Sequence, residues 1–143
     1  MIARLIGVLT LALLALPAQA QDIFTPRDAI VRAADEAPWS VRGIFVMPVR
    51  ATGTEPGFVY LNSEDDYRDQ RNLTIVIPAR VAAALQEKYG EAPETFFKGK
   101  RVAVTGAAKR IKIVFTWEGH RTKKYYYQTH VLLTEADKLQ VLQ

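Results

Sequence analysis

The sequence predicts a small, mainly β domain that closes into a five-stranded barrel and carries one or two helices. Runs rich in β-branched and aromatic residues recur along the chain, and a single helical segment separates an early group from a late group. The chain has 143 residues, is 49% hydrophobic and contains no cysteine. This composition suits one packed core and excludes a disulfide scaffold, a thiol nucleophile and a zinc finger.

The first twenty residues have the pattern of a secretory signal peptide. Arg4 precedes an apolar run at residues 5–16, and Pro17 and Ala18-Gln19-Ala20 follow it. The run is shorter than the roughly 20 residues of a membrane span, although an uncleaved anchor is the alternative. We expect cleavage between Ala20 and Gln21, a secreted or periplasmic protein, and no stable membrane span afterwards.

A short helix is expected between the signal peptide and the barrel, within residues 21–38. Thr25 can cap it, Pro26 suits the first helical position, and Asp28 favours the positive helix end. Pro38 ends the helical pattern, so that the barrel domain is expected to occupy residues 39–143.

Within this domain, three strands are expected before an internal helix and further strands after it. Gly43 suggests a bulge or bend, Gly90 a helix end, Gly106 a strand end, and Glu118-Gly119 a hairpin turn. The predicted strands span residues 41–49, 58–61, 73–77, 101–105, 110–117, 125–133 and 139–142, and the helix spans residues 80–89; residues 91–94 are expected to form a loop. A single helix between the third and fourth barrel strands is typical of an OB-fold, whereas a β-sandwich, the alternative, would not need it.

Two segments also resemble a known family. Residues 98–113 contain a glycine with basic neighbours, alternating valines, Thr105-Gly106 and a basic strand, and Asp137-Lys138-Leu139-Gln140-Val141 follows later. This pattern resembles the fourth strand and the ending of OB domains of the tRNA-anticodon-binding type. Residues 57–74 are similar to segments of uncharacterised secreted bacterial OB-fold proteins. The resemblance spans residues 39–142 and implies an OB-fold, which hosts many functions.

Charge is distributed unevenly along the chain. Residues 98–124 contain nine basic residues and one acidic residue, whereas residues 55–94 contain eight acidic and four basic residues. A basic surface attracts phosphates, and interleaved aromatic rings can stack on unpaired bases. The basic segment therefore indicates binding of single-stranded nucleic acid or another polyanion.

OB barrels bind ligands on the second and third strands and on the flanking loops. We expect Tyr60 and Arg71 on that face, and Arg121 and Lys123 in or beside the last loop. The candidate binding residues are Tyr60, Arg71, Lys112, Trp117, Arg121, Lys123 and Tyr125. A solvated basic face with packed tyrosines is the alternative, and alternation leaves open which of residues 125–127 faces solvent.

The sequence offers little for catalysis. It has two histidines, His120 and His130, and no nucleophile elbow, phosphate loop or zinc pattern, so we expect no enzyme, no catalytic residue and no cofactor. Residues 62–69 carry four carboxylates without EF-hand spacing. We expect a solvated loop in which Arg68 pairs with a carboxylate, and a bound cation is the alternative.

The sequence as a whole predicts a secreted or periplasmic OB-fold binding module for single-stranded nucleic acid or another polyanion. The alternative is a protein-interaction or envelope-structural domain. Such a domain would hold an envelope protein partner through the barrel face or the first helix.

Overall fold

The structure, a computed structural model, describes residues 20–143. The predicted signal peptide lies outside these residues except for Ala20. The elements in chain order are β1 (Ile23–Phe24), α1 (Pro26–Asp35), β2 (Ser40–Pro48), β3 (Ala51–Glu55), β4 (Phe58–Asn62), β5 (Leu73–Pro78), α2 (Ala79–Tyr89), α3 (Pro93–Phe96), β6 (Arg101–Trp117), β7 (His120–Leu132), a 3-10 turn (Ala136–Lys138) and β8 (Leu139–Leu142). None of the helices in this part of the chain is both long and apolar enough to cross a bilayer.

The strands form one sheet that closes on itself. Its order is β1-β2-β6-β7-β5-β4-β3, with β8 paired to β6 beside β7. Only Val49 and Arg50 separate β2 from β3. The amide of Val49 donates to the Lys100 carbonyl just before β6 (2.8 Å), and the amide of Arg50 donates to the Asn62 carbonyl of β4 (2.9 Å). The two ends of the sheet are therefore one continuous segment, and the barrel is closed.

Counted with β2 and β3 as one strand, the barrel has the five strands of an OB-fold. β5 and β7 run parallel, whereas the other neighbouring barrel strands run antiparallel. α2 lies between the third and fourth barrel strands, as that fold requires. The predicted fold class is confirmed, and β1 and β8 are short additions to the barrel.

α1 and α2 form where the sequence predicts helices, although α1 ends at Asp35, before Pro38, and α2 begins one residue early, at Ala79. The Thr25 hydroxyl accepts from the Asp28 amide, and the Asp28 carboxylate accepts from the Thr25 amide, each at 3.2 Å, which forms a capping box. The Thr25 hydroxyl also donates to the Asp28 carboxylate (2.7 Å), and this bond, together with the bond from the Thr25 amide, lowers the pKa of Asp28. α2 ends at Gly90 in the left-handed conformation, with φ of 80°. α3, in contrast, includes residues for which the sequence predicts a loop.

The core lies inside the barrel, and alternation decides which residues enter it. On β5 the side chains of Leu73, Ile75 and Ile77 are fully buried in this core, while Thr74, which is also buried, lies on the opposite side of the sheet. Ala29 and Ala33 of α1 are also fully buried and join the same core. α1 is therefore packed as part of the domain.

Two glycines do not have the structural roles that the sequence predicts for them. Gly43 pairs with Gly106 inside an unbroken β2–β6 register, so the expected bulge at Gly43 and the strand end at Gly106 are both wrong. A Cβ atom at Gly43 would lie 2.5 Å from Cε2 of Phe24 and 2.8 Å from the Asp22 carbonyl oxygen. Gly43 is thus needed because the β1 segment passes directly over the strand.

We predict that Gly43→Ala destabilises the protein by about 1–3 kcal/mol, because the new methyl group meets backbone as well as a ring. Gly53→Ala is the matched control, since a Cβ atom there has nothing within 4 Å. Urea unfolding followed by circular dichroism measures both variants. Equal unfolding midpoints for the two variants would contradict this role of Gly43.

Candidate functional site

The paired strands β6 and β7 extend beyond the barrel as a two-stranded ribbon. β2 pairs with β6 only as far as Lys109, and β5 pairs with β7 only from Thr129 onwards. Residues 110–128, here called the ribbon, therefore have no further strand beside them. The ribbon ends in Glu118 and Gly119, whose φ values of 47° and 77° are those of a type I′ turn. The predicted hairpin turn is confirmed.

The register of the ribbon separates its side chains into two faces. Residues opposite each other on antiparallel strands share a face, and neighbours along a strand do not. Lys112 lies opposite Tyr127, and Val114 lies opposite Tyr125. We call the face that carries Arg110, Lys112, Tyr125 and Tyr127 the basic face. Its reverse, the cleft face, carries Ile111, Ile113, Tyr126 and Gln128.

Cations lie over aromatic rings on the basic face. The Arg110 guanidinium carbon is 3.6 Å from the centre of the Tyr127 ring, and the Lys112 Nζ is 4.1 Å from that of Tyr125. The two tyrosine rings meet edge to face at 5.6 Å. The ring quadrupole attracts each cation and holds it above the strand, where it still faces solvent. The basic face thus presents positive charge in a fixed arrangement.

The ribbon tip adds further cations and an exposed ring. Trp117 is 72% exposed and lies opposite His120, and Arg121 lies opposite Thr116. The register shifts between Tyr125 and Arg121, and the intervening residues include Lys123 and Lys124. The Thr122 hydroxyl stabilises this irregularity by donating to the Phe115 carbonyl (2.8 Å).

The ribbon cations are not neutralised by nearby acids. Among residues 20–143 the ion pairs join Arg50 to Glu64, Arg68 to Asp66, Arg71 to Asp69, and Lys138 to Glu135. No ribbon residue takes part in these pairs. The ribbon contains one acid, Glu118, beside its cations Arg110, Lys112, Arg121, Lys123 and Lys124. Its positive charge is therefore available to an anionic ligand.

A cleft of about 500 Å³ lies on the outer surface of the barrel, against the cleft face of the ribbon. β3, β4, β5, β6 and β7 all contribute to its walls. Its polar and aromatic lining includes Tyr60, Asn62, Tyr67, Thr74, Tyr126, Gln128 and His130. Its ionised side chains are Glu55 and Asp65, and the lining includes no lysine or arginine. The cleft is therefore acidic, whereas the opposite face of the ribbon is basic.

A hydrogen-bonded row on β7 orients one wall of the cleft. The Gln128 amide nitrogen donates to the Tyr126 hydroxyl (2.6 Å), and its oxygen lies 2.7 Å from Nε2 of His130. This amide orientation requires Nε2 of His130 to carry a hydrogen. Burial lowers the pKa of His130, so the ring is neutral near pH 7. The Tyr126 hydroxyl, already accepting from Gln128, directs its own hydrogen elsewhere.

A buried amide network fixes the loop at the other side of the cleft. The Asn72 side chain donates to the Thr74 hydroxyl (2.9 Å) and the Asn62 amide oxygen (3.1 Å), and Thr74 also donates to Asn62 (2.8 Å). The Asn72 oxygen accepts from the Glu64 amide (3.0 Å). Because these polar groups satisfy one another, the loop of residues 63–72, which carries Asp65 and Tyr67, is held in place.

Arginines neutralise two carboxylates of the same loop. Arg68 donates to both oxygens of Asp66 (3.1 and 3.0 Å), so the expected pairing of Arg68 is confirmed. Arg71 does the same to Asp69 (3.1 and 2.8 Å), and these bonds lower the pKa of Asp69 to about 2. Across residues 20–143, no three histidine, aspartate or glutamate side chains come together as metal ligands would.

The structure brings five of the seven sequence-predicted residues together and separates the other two. The ribbon carries Lys112, Trp117, Arg121, Lys123 and Tyr125. Tyr60 instead lines the cleft, where its hydroxyl donates to Glu55 (3.1 Å). Arg71 lies in the loop before β5, beside α1, and is paired with Asp69.

Sequence reasoning missed most of the cleft. Tyr126, Gln128 and His130 occupy alternate positions of one predicted strand, and this spacing alone places them on one face. What the sequence did not show is that Asn62 and Thr74, on two other strands, line the same cleft. The structure also decides among the three tyrosines, since Tyr126 faces the cleft and its two neighbours face the other way.

Comparisons with known proteins give little further information about this site. No family model matches the chain, and no curated protein matches it. Among solved structures the chain is similar to a protein assigned as an aspartyl-tRNA synthetase from Leishmania major Friedlin, at 8% identity and a TM-score of 0.42. The match covers 92% of this chain and 23% of that one, so the chain spans less than a quarter of that protein's length. At this TM-score the similarity carries no argument about function.

We predict that the free energy of unfolding falls as pH is lowered from about 7.5 to about 5, partly through His130. The pKa of this group is lowered in the folded state, so the unfolded chain binds the proton first. The contribution is present above the ordinary value of 6.5 and is lost as pH falls below it. Urea unfolding at each pH should show a smaller decrease for His130→Gln. The control, His120→Gln at the exposed start of β7, should match the unsubstituted protein, and identical pH profiles for all three would contradict the prediction.

Proposed function

We propose that this protein is a non-enzymatic, secreted or periplasmic binding module that holds single-stranded nucleic acid, or another polyanion, on its ribbon. The observation that carries the proposal is the set of five ribbon cations, none of which forms an ion pair within residues 20–143, next to exposed aromatic rings. The signal-peptide pattern at residues 1–20 supports export.

The spacing of the cations favours an extended anionic chain. Arg110 and Lys112 are two residues apart on one strand, which places them about 7 Å apart on the same face. Arg121, Lys123 and Lys124 continue the charge to the ribbon tip on the neighbouring strand. A polyanion lying along the ribbon would therefore meet several cations in succession and release its counterions.

The aromatic rings favour a nucleic acid over a polyanion without bases. Trp117 at the tip is 72% exposed, and Tyr125 is 50% exposed. Unpaired bases stack on such rings without regard to sequence, and each stack contributes about 1–3 kcal/mol. Duplex DNA hides its bases, so the single strand is the better partner for this surface.

A second candidate function is supported by another part of the surface. A groove of about 520 Å³ lies between α1 and the loop before β5. Ile30 and Val31 provide apolar surface, and Arg27 and Arg71 lie beside them. This groove favours the alternative of a protein-interaction or envelope-structural domain.

Fluorescence polarisation with a short labelled single-stranded DNA tests the proposed function. If the five ribbon cations each contact one phosphate, we expect the dissociation constant to rise roughly a hundredfold between about 50 and 200 mM salt. Reversing two charges in Arg121→Glu/Lys123→Glu should weaken binding and reduce the slope of log K against log salt by about 1.4.

The matched control reverses two exposed charges outside the ribbon, in Arg27→Glu/Lys98→Glu, and should retain the salt slope. Trp117→Ala should weaken binding to DNA more than binding to inorganic polyphosphate, which has no bases. Binding that is indifferent to salt, or equal losses in both charge-reversal variants, would contradict the proposal. No binding at low salt would favour the protein-interaction alternative, which capture of a partner from a periplasmic extract would then examine.

A further inference from the structure

The cleft has a chemistry that the ribbon does not share. The chain has a formal net charge of +4, yet the ionised groups that line the cleft are the carboxylates of Glu55 and Asp65. A phosphate group would be repelled there. The cleft is therefore unsuited to the backbone of a nucleic acid and suited to a neutral or positively charged group.

Three tyrosine rings surround this acidic space. Tyr60 is on β4, Tyr67 is on the loop before β5, and Tyr126 is on β7. Tyr60 packs on Phe58 (6.3 Å between ring centres) and Tyr126 packs on Phe115 (5.4 Å). Within the described part of the chain, none of the three rings stacks on another of the three. The rings therefore form separate walls, with the open volume between them.

The hydrogen bond between Tyr60 and Glu55 arranges one wall for a cation. Burial, together with this bond, raises the pKa of Tyr60, so its hydroxyl stays protonated and keeps donating to the carboxylate (3.1 Å). The Glu55 carboxylate is thereby held beside an electron-rich ring. The Tyr67 ring already interacts with one cation, because the guanidinium carbon of Arg68 lies 5.8 Å from its centre.

We infer that the cleft binds a small organic cation of the alkylated or quaternary ammonium class. Tyrosine faces attract the diffuse positive charge and contact its alkyl groups, and the carboxylates of Glu55 and Asp65 balance the charge. The volume of about 500 Å³ lies within the usual range for small-molecule sites. This inference does not rest on the proposed function, because its residues lie on the opposite face from the basic face.

Titration of the purified protein with choline, followed by calorimetry and by the tyrosine proton resonances, tests the inference. The neutral alcohol 3,3-dimethylbutan-1-ol has the shape of choline without its charge. We expect saturable binding of choline, and we expect the alcohol to bind at least about tenfold more weakly. Equal affinity for the two compounds, or no saturable binding of choline, would overturn the inference.

Variants of the cleft identify the groups that recognise the cation. Tyr67 is 55% exposed, so its replacement leaves the core packing intact. We expect Tyr67→Leu to weaken choline binding several-fold and Tyr67→Phe, which keeps the ring, to weaken it little. Glu55→Gln/Asp65→Asn should weaken it about tenfold. Unchanged affinity in both Tyr67→Leu and the carboxylate variant, with unfolding temperatures preserved, would overturn the inference.

Two further experiments distinguish the cleft from the ribbon and a lipid headgroup from a soluble cation. Arg121→Glu/Lys123→Glu should leave choline binding unchanged, so the cation site and the polyanion site can fail independently. Co-sedimentation with phosphatidylcholine vesicles that free choline reverses would assign the bound group to a lipid headgroup. Choline binding without co-sedimentation would assign it to a soluble cation. Choline binding that is lost in the ribbon variant and kept in the cleft variants would overturn the assignment to the cleft.

Discussion

The antiparallel register of β6 and β7 is the constraint on which the rest of the structure depends. A slip of one residue would move every ribbon side chain to the opposite face. The register is held at the barrel end by Ala108 and Val131, which are opposite each other and fully buried. At the other end it is held by the type I′ turn at Glu118 and Gly119. Because β6 also pairs with β2 and β8, the same strand closes the barrel and positions both surfaces.

One face of the ribbon is basic while the other lines an acidic cleft, because neighbouring residues of a strand point to opposite faces. Lys112 and Ile113 are neighbours in sequence, yet one meets Tyr125 on the basic face and the other lines the acidic cleft. The tyrosines likewise divide, with Tyr126 on one face and its neighbours on the other. Residues 98–124 look like a single basic segment in the sequence. In the fold Arg110 and Lys112 lie on one face of the ribbon, and Arg121, Lys123 and Lys124 lie near its tip.

Local signals in the sequence were sufficient for much of the fold. Thr25, Gly90 and Glu118-Gly119 act through conformational preferences of one or a few residues, and each has the predicted role. The order of strands around α2 was also sufficient to predict the barrel. Gly43 and Gly106 misled the prediction because their role depends on neighbours that are distant in sequence. Gly43 makes room for the β1 segment, and Gly106 lies opposite it on β6.

Only the ribbon part of the candidate site was predictable from the sequence, because the cleft also depends on residues that are distant in sequence. The ribbon residues lie close together in sequence, so the charge pattern identified Lys112, Arg121 and Lys123 together. The cleft is assembled from five strands and a loop, and no sequence pattern joins Glu55 to His130. The usual ligand face of an OB-fold predicts Tyr60 on the polyanion surface. Tyr60 instead projects from β4 into the acidic cleft, where its hydroxyl donates to Glu55.

The central claim is that a bound polyanion covers the ribbon, and lysine acetylation measured by mass spectrometry tests it most directly. Single-stranded DNA at low salt should slow the acetylation of Lys112, Lys123 and Lys124. It should leave Lys88 on α2 and Lys98 before β6 as reactive as in the free protein. Equal protection of all five lysines, or protection of Lys88 and Lys98 alone, would contradict the claim.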